Sequence, residues 1–129
     1  MSTMAITTLR DVLVLDCPEP GKLADFYARL LGGKVEGEGR WVEVTFDSGA
    51  LKGRTFAFQE APGHVPPQWP SAERSQQFHL DFYVPRGELD AAEREALELG
   101  AELLQGDGGE LDFRVYRDPA GHPFCLCVE

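Results

Sequence analysis

At 129 residues the chain is long enough for one domain that buries roughly two thirds of its unfolded surface. Its composition is 43% hydrophobic, and no apolar run approaches the ~18 residues of a membrane span. The 22 Asp and Glu against 12 Lys and Arg leave a net charge of −10, which keeps the surface solvated and disfavours nucleic acid, a partner bound mainly through cations that neutralise phosphates.

Taken in chain order, Leu9, Val12, Leu13, Val14 and Leu15 form an apolar run ended by Asp16-Cys17-Pro18, which predicts a buried strand interrupted by Asp11. A carboxylate inside such a run must be paired, ligated or wetted to escape its desolvation cost. Pro20 opens a helix, as proline does well in a first turn, and Leu23, Phe26, Tyr27, Leu30 and Leu31 follow at helical spacing until Gly32-Gly33 stops it. Val35 to Glu38, Arg40 to Phe46 and Arg54 to Glu60 read as strands, the last two alternating large apolar residues with polar or small ones. From 61 to 75 the composition turns to proline, glycine and polar residues, a linker long enough to cover a cleft as well as cross the molecule. Gln76 to Val84 then alternates Phe78, Leu80, Phe82 and Val84 with His79, Asp81 and Tyr83. An amphipathic helix follows over Gly87 to Leu99, then strands over Ala101 to Leu104, Leu111 to Arg117 and His122 to Glu129, with an acidic glycine-rich turn at Gly106 to Glu110.

The second half thus repeats the first, and Leu31-Gly32 and Leu99-Gly100 lie 68 positions apart, a shift that also carries Asp11 onto His79. The expected architecture is a single α+β domain over residues 1–129. In it two tandem βαβββ units, about 8–60 and 76–129 joined by linker 61–75, form curved mixed sheets around a concave cleft. Cys17, Cys125 and Cys127 are odd in number, and two of them share one strand face, so reduced thiols are expected. Met1 to Thr8 has neither the basic start nor the apolar stretch of a secretory signal, which together with the thiols predicts a cytoplasmic protein.

Several residues stand out for chemistry. His79 shares a polar strand face with Asp81, and a contact between His79 and Asp11 across the junction of the halves would satisfy both and make an acid/base pair. Trp41, Trp69 and Tyr83 are candidates for the wall of an apolar ligand pocket, with Trp69 supplied by the linker. His64 and His122 read as linker and turn residues. The Gly106 to Gly109 stretch lacks a lysine and carries Asp107, so it is no phosphate loop.

Three phrases carry a resemblance: Leu13-Val14-Leu15-Asp16-Cys17-Pro18-Glu19-Pro20 leading to Phe26-Tyr27-Ala28-Arg29-Leu30-Leu31-Gly32, then Gln77-Phe78-His79-Leu80-Asp81, then Asp118-Pro119-Ala120-Gly121-His122-Pro123-Phe124. In order and spacing they resemble the vicinal oxygen chelate superfamily, which includes glyoxalase I, bleomycin- and fosfomycin-resistance proteins and extradiol dioxygenases, and most of all its small bacterial glyoxalase-like proteins. Metal-dependent members hold a divalent ion in the cleft, commonly with two histidines and a glutamate, and the ion stabilises an enolate or alkoxide as a Lewis acid. By position, the resemblance implies ligand sites at Asp11, His79 and Cys125, with the fourth near Ala57 and Gln59 next on that face. Only His79 keeps the usual ligand type. A set of Asp, His and Cys suits zinc better than a harder ion, whereas a cysteine on an apolar strand ordinarily packs as a small hydrophobe. Two functions therefore stand open: a module that holds a small organic molecule, through Trp41, Gln59, Trp69, Asp81, Tyr83 and Cys125, with a degenerate metal set; or a metal-dependent lyase, isomerase or dioxygenase centred on Asp11 and His79. The resemblance also implies a homodimer.

Overall fold

The computed structural model describes residues 9–106 and 112–129, so Met1 to Thr8 and most of the turn expected at Gly106 to Glu110 lie outside the described residues. The first unit runs β1 (Val12–Cys17), α1 (Pro20–Leu31), β2 (Lys34–Glu36), β3 (Trp41–Thr45) and β4 (Thr55–Glu60). The second runs β5 (Leu80–Val84), a 3-10 turn (Arg86–Glu88), α2 (Leu89–Glu98), β6 (Glu102–Gln105), β7 (Phe113–Arg117) and β8 (Pro123–Val128). Each unit makes an open four-stranded mixed sheet, ordered β1-β4-β3-β2 and β5-β8-β7-β6, with the first strand of each parallel to the last. The molecule is α+β, with tandem βαβββ units.

Local sequence explains the ends of these elements. Pro20 sits in the first turn of α1, and Gly32 closes it at φ +77°, its N–H bonding Ala28 O at 2.9 Å, a left-handed stop that costs glycine little. The strand expected from Gln76 begins only at Leu80. Its ladder partner Phe124 is preceded by Pro123, which has no N–H to extend the pairing. The 3-10 turn at 86–88 takes the residues that the sequence assigns to the start of α2.

One hydrophobic cluster joins the halves. Leu23, Phe26 and Tyr27 of α1 pack with Val42, Val44, Phe56 and Phe58 of the first sheet and with Tyr116, Phe124, Leu126 and Val128 of the second. Tyr27 stacks on Phe58 at 5.6 Å and meets Phe124 edge-on at 6.4 Å. Its hydroxyl, buried in that cluster, donates to Asp118 Oδ2 at 2.6 Å across 91 residues of chain. On α2, Asp90 and Glu93 take Arg114, and Glu93 accepts from Tyr116 at 2.8 Å, which clamps the helix to β7.

Candidate functional site

Alternation along β5 sends Leu80, Phe82 and Val84 into the main core and leaves His79, Asp81 and Tyr83 on the opposite face. Parallel pairing with β8 sets Asp81 beside Cys125 and Tyr83 beside Cys127. The two cysteines form a small second cluster with Val115, against which Trp69 and Leu104 pack. The result is a hollow of about 480 Å³ lined by His79, Asp81, Tyr83, Phe113, Cys125 and Cys127, among others, and all its lining residues belong to the second unit.

Within it, His79 Nε2 lies 3.2 Å from an Asp81 carboxylate oxygen, both side chains about two-fifths exposed (42% and 41%). Burial pushes the Cys125 thiol up to about 12, helped by the charge of Asp81, by neighbouring Cys127 and by a hydrogen bond to Asp81. Burial, and then Asp81, also raises Cys127. Both thiols are therefore protonated near neutrality and poor nucleophiles. The donor atoms of His79, Asp81 and Cys125 all lie within 4.8 Å of one another. One imidazole, one carboxylate and one thiol with open solvent positions fit zinc, which accepts all three. They do not suit a hard ion such as manganese, which prefers oxygen. These three residues, rather than Asp11, would hold a zinc ion.

The structure does not bring Asp11 to His79. Asp11 is 63% exposed and bonds Arg54 at 2.8 Å, and Asp81 is the carboxylate at His79. The cause is register. The last rungs of the two parallel ladders are Cys17 with Glu60 and Val84 with Val128, so Val14 beside Ala57 corresponds to Asp81 beside Cys125. The shift is 68 between β4 and β8, as expected for Ala57 and Cys125, but 67 between β1 and β5, which makes Val12 the counterpart of His79. A slip of one residue moves a strand residue to the other face. The two-residue alternation of each strand, followed separately from the helix ends, carries that signal in the sequence.

The other singled-out residues are dispersed. Trp41 on β3 is 42% exposed and donates through Nε1 to Glu43 at 2.9 Å, while Gln59 on β4 donates to Asp16 at 3.0 Å. Phe113 and Cys127, which the sequence reading did not select, stand in the hollow, whereas Trp69 packs against the cluster of Val115, Cys125 and Cys127 and is not on the hollow's lining.

Comparison with known proteins agrees with this architecture. A sequence profile of the glyoxalase-like domain matches residues 12–127, while no curated protein matches the chain. Among solved structures, the chain is similar to a glyoxalase/bleomycin resistance protein/dioxygenase family enzyme from Burkholderia phytofirmans, with 13% identity, 91% of this chain and 95% of that one covered, and a TM-score of 0.69. It is also similar to the fosfomycin resistance protein FosX from Listeria monocytogenes in complex with Mn(II) and a dihydroxypropylphosphonic acid, with 16% identity, coverage of 95% and 90%, and a TM-score of 0.63. The oxidase ChaP-H2 shares 20% identity over 96% and 95%, with a TM-score of 0.64. Residues 12 to 127, folded as two βαβββ units, thus place the chain in the glyoxalase-like domain family of the vicinal oxygen chelate superfamily.

Proposed function

We propose that the chain binds a small organic molecule in the hollow beside β5 and β8, as a glyoxalase-like protein whose metal-ligand set is incomplete. The observation that carries this reading is the composition of the paired strands. Val12, Val14 and Ala57 stand where the second unit has His79, Asp81 and Cys125, so the first unit offers no donor at those positions. The hollow has a volume in the ordinary ligand range and the mixed lining of such sites, Tyr83 and Phe113 beside a few polar groups. Tyr83, Trp69, Asp81 and Cys125 are its ligand-binding residues in this reading. Trp41 and Gln59 would serve from the first sheet when a partner copy completes the cleft. Trp41, Tyr83 and Phe113 are all exposed, and both sheets are open, which favours a homodimer. Among the described residues no helix is long and apolar enough to cross a membrane. The three free thiols suit a reducing cytoplasm.

A screen of aromatic and heterocyclic compounds by tryptophan fluorescence and thermal shift tests the reading. Saturable binding that Tyr83→Ala and Trp69→Ala abolish, in protein stripped of metal, is the expected result. Binding that survives both substitutions places the ligand elsewhere.

The second reading, a metal-dependent lyase, isomerase or dioxygenase, draws support from the His79, Asp81 and Cys125 cluster. A zinc ion bound there would supply Lewis-acid polarisation of a substrate oxygen. His79, its Nε2 engaged by Asp81, keeps Nδ1 to accept a proton from a ligand, so the pair is suited to acid/base work with or without an ion. Stoichiometric zinc that survives dialysis and is lost in His79→Ala favours this reading, and substoichiometric metal after incubation with zinc removes it.

A further inference from the structure

A second cavity, of about 590 Å³, lies between β1, the linker and the turn before β8, apart from the hollow of the second sheet. Leu13, Val14 and Leu15 form one wall, and Val65, Pro66 and Pro67 of the linker form another. Phe78, 87% exposed, lies on its lining with most of its ring available for contact. The volume suits a small ligand, and the lining is divided between these apolar residues and polar or charged ones, Asp16, His64, Arg74, Ser75, Gln76, Gln77 and His122.

Two polar groups on this lining stand out, the Arg74 guanidinium and the buried Gln76 Oε1, and neither has a partner among the described residues. Seven of the nine arginines make ion pairs, those of Arg10, Arg29, Arg40, Arg54, Arg86, Arg114 and Arg117. Arg74 lines the cavity, and among the described residues its guanidinium has neither an ion pair nor a hydrogen bond. Arg74 is exposed, and a guanidinium on a cavity lining that no carboxylate of the protein engages can seat the carboxylate of a ligand. Gln76 Oε1 is buried on the same lining and among the described residues no donor reaches it, a state that buried acceptors seldom keep. Three of the other polar residues on the lining, Asp16, His64 and His122, are engaged within the protein, whereas Ser75 and Gln77 make no side-chain hydrogen bond among the described residues. Asp16 Oδ1 accepts from Gln59, and His64 and His122 each donate through Nε2, to the carbonyls of Ala120 at 3.0 Å and Asp16 at 2.6 Å.

We propose that this cavity binds a small apolar carboxylic acid that also carries a hydroxyl or amino group. The carboxylate sits on Arg74, the hydroxyl or amino hydrogen reaches Gln76 Oε1, and the apolar body lies between β1 and the linker against Phe78. The site is independent of the reading given for the second-sheet hollow.

Isothermal titration with phenyllactate, hydrocinnamate and phenethyl alcohol tests it, since the second probe lacks the hydroxyl and the third lacks the carboxylate. Phenyllactate is expected to bind most tightly, with phenethyl alcohol weaker by about tenfold or more, the worth of a charge-assisted hydrogen bond. Arg74→Gln removes that difference, whereas Arg94→Gln, which deletes an arginine of α2 outside the cavity, leaves it in place. Gln76→Leu makes phenyllactate and hydrocinnamate equal. The proposal is overturned if phenyllactate shows no saturable binding, or if Arg74→Gln holds its affinity within about twofold of wild type. It is also overturned if Tyr83→Ala rather than Arg74→Gln abolishes binding, which would place the acid in the other hollow. Failure of the aromatic screen on that hollow leaves these titrations unaffected.

Discussion

At the scale of single residues, the pairing of Tyr27 with Asp118 ties the two units together. Asp118 accepts from the Tyr27 hydroxyl and from the backbone N–H groups of Ala120 and His122, so one buried carboxylate holds α1 and the turn before β8. Tyr27→Phe leaves a buried oxygen short of a donor and is expected to cost about 1–3 kcal/mol in urea unfolding. Burial raises the Asp118 carboxyl above its ordinary 3.8, against the opposing pull of its hydrogen bonds. The native state then holds this proton more tightly than the unfolded chain. Asp118 therefore stabilises the fold most below pH 3.8, and the stabilisation falls as pH rises through its folded pKa. Unfolding free energies of wild type and Asp118→Asn across that window check the sign, because the difference between them should shift against wild type as pH rises. In the hollow, Cys125 follows the same logic of burial, with Asp81 adding its charge. Asp81→Asn is expected to speed native-state alkylation of Cys125 by iodoacetamide, about tenfold for each unit by which the thiol falls. An unchanged rate would show that burial alone protects the thiol.

At the scale of elements, turns and registers decide what the strands present. Gly121 sits at φ +94°, and an added Cβ would run into the Pro66 ring, so the turn before β8 and the linker fit together only through a glycine. Gly121→Ala is expected to destabilise the fold by roughly 2–4 kcal/mol, part from the left-handed backbone and part from overpacking. A loss below ~0.5 kcal/mol in the same measurement would mean that the linker does not press on the turn. Much of the element map was legible in the chain because its signals are local: Pro20 and Gly32 bound α1, and the alternation of Val42 and Val44 or of Phe56 and Phe58 marks the core faces of β3 and β4. Placement of Asp11 was legible only in the alternation of its own strand, where it runs in phase with Leu13 and Leu15, and not in the repeat. A repeat offset read from the helix ends need not hold on the strands, because the connection from β5 to α2 differs in length from that between β1 and α1. One residue of difference exchanged Asp11 for Val12 as the counterpart of His79. The grouping of His79, Asp81 and Cys125 depends on β5 pairing with β8 across more than forty residues, a contact that no local pattern specifies.

At the scale of the molecule, the two units share a scaffold and differ in the side chains it carries. The same ladder that carries Asp81 and Cys125 in one unit carries Val14 and Ala57 in the other, whereas two residues further on the first sheet has Asp16 beside Gln59 and the second has Tyr83 beside Cys127, so the sheets set their polar groups at different rungs while both keep an apolar inner face. The first sheet, with Trp41 exposed, gains a role if a second copy sets it against the second sheet's hollow. Association of this kind has an electrostatic opponent, since each copy carries −10 and the two repel at long range. Salt screens that repulsion over a Debye length of about 8 Å at physiological ionic strength, whereas apolar contact between sheet faces is not weakened by moderate salt. Sedimentation equilibrium at micromolar protein should therefore show a species of twice 14.3 kDa whose dissociation constant falls as sodium chloride is raised, and Trp41→Glu should shift it toward monomer. A 14.3 kDa species at every salt concentration would refute the homodimer and leave the hollow of the second sheet to work within a single chain.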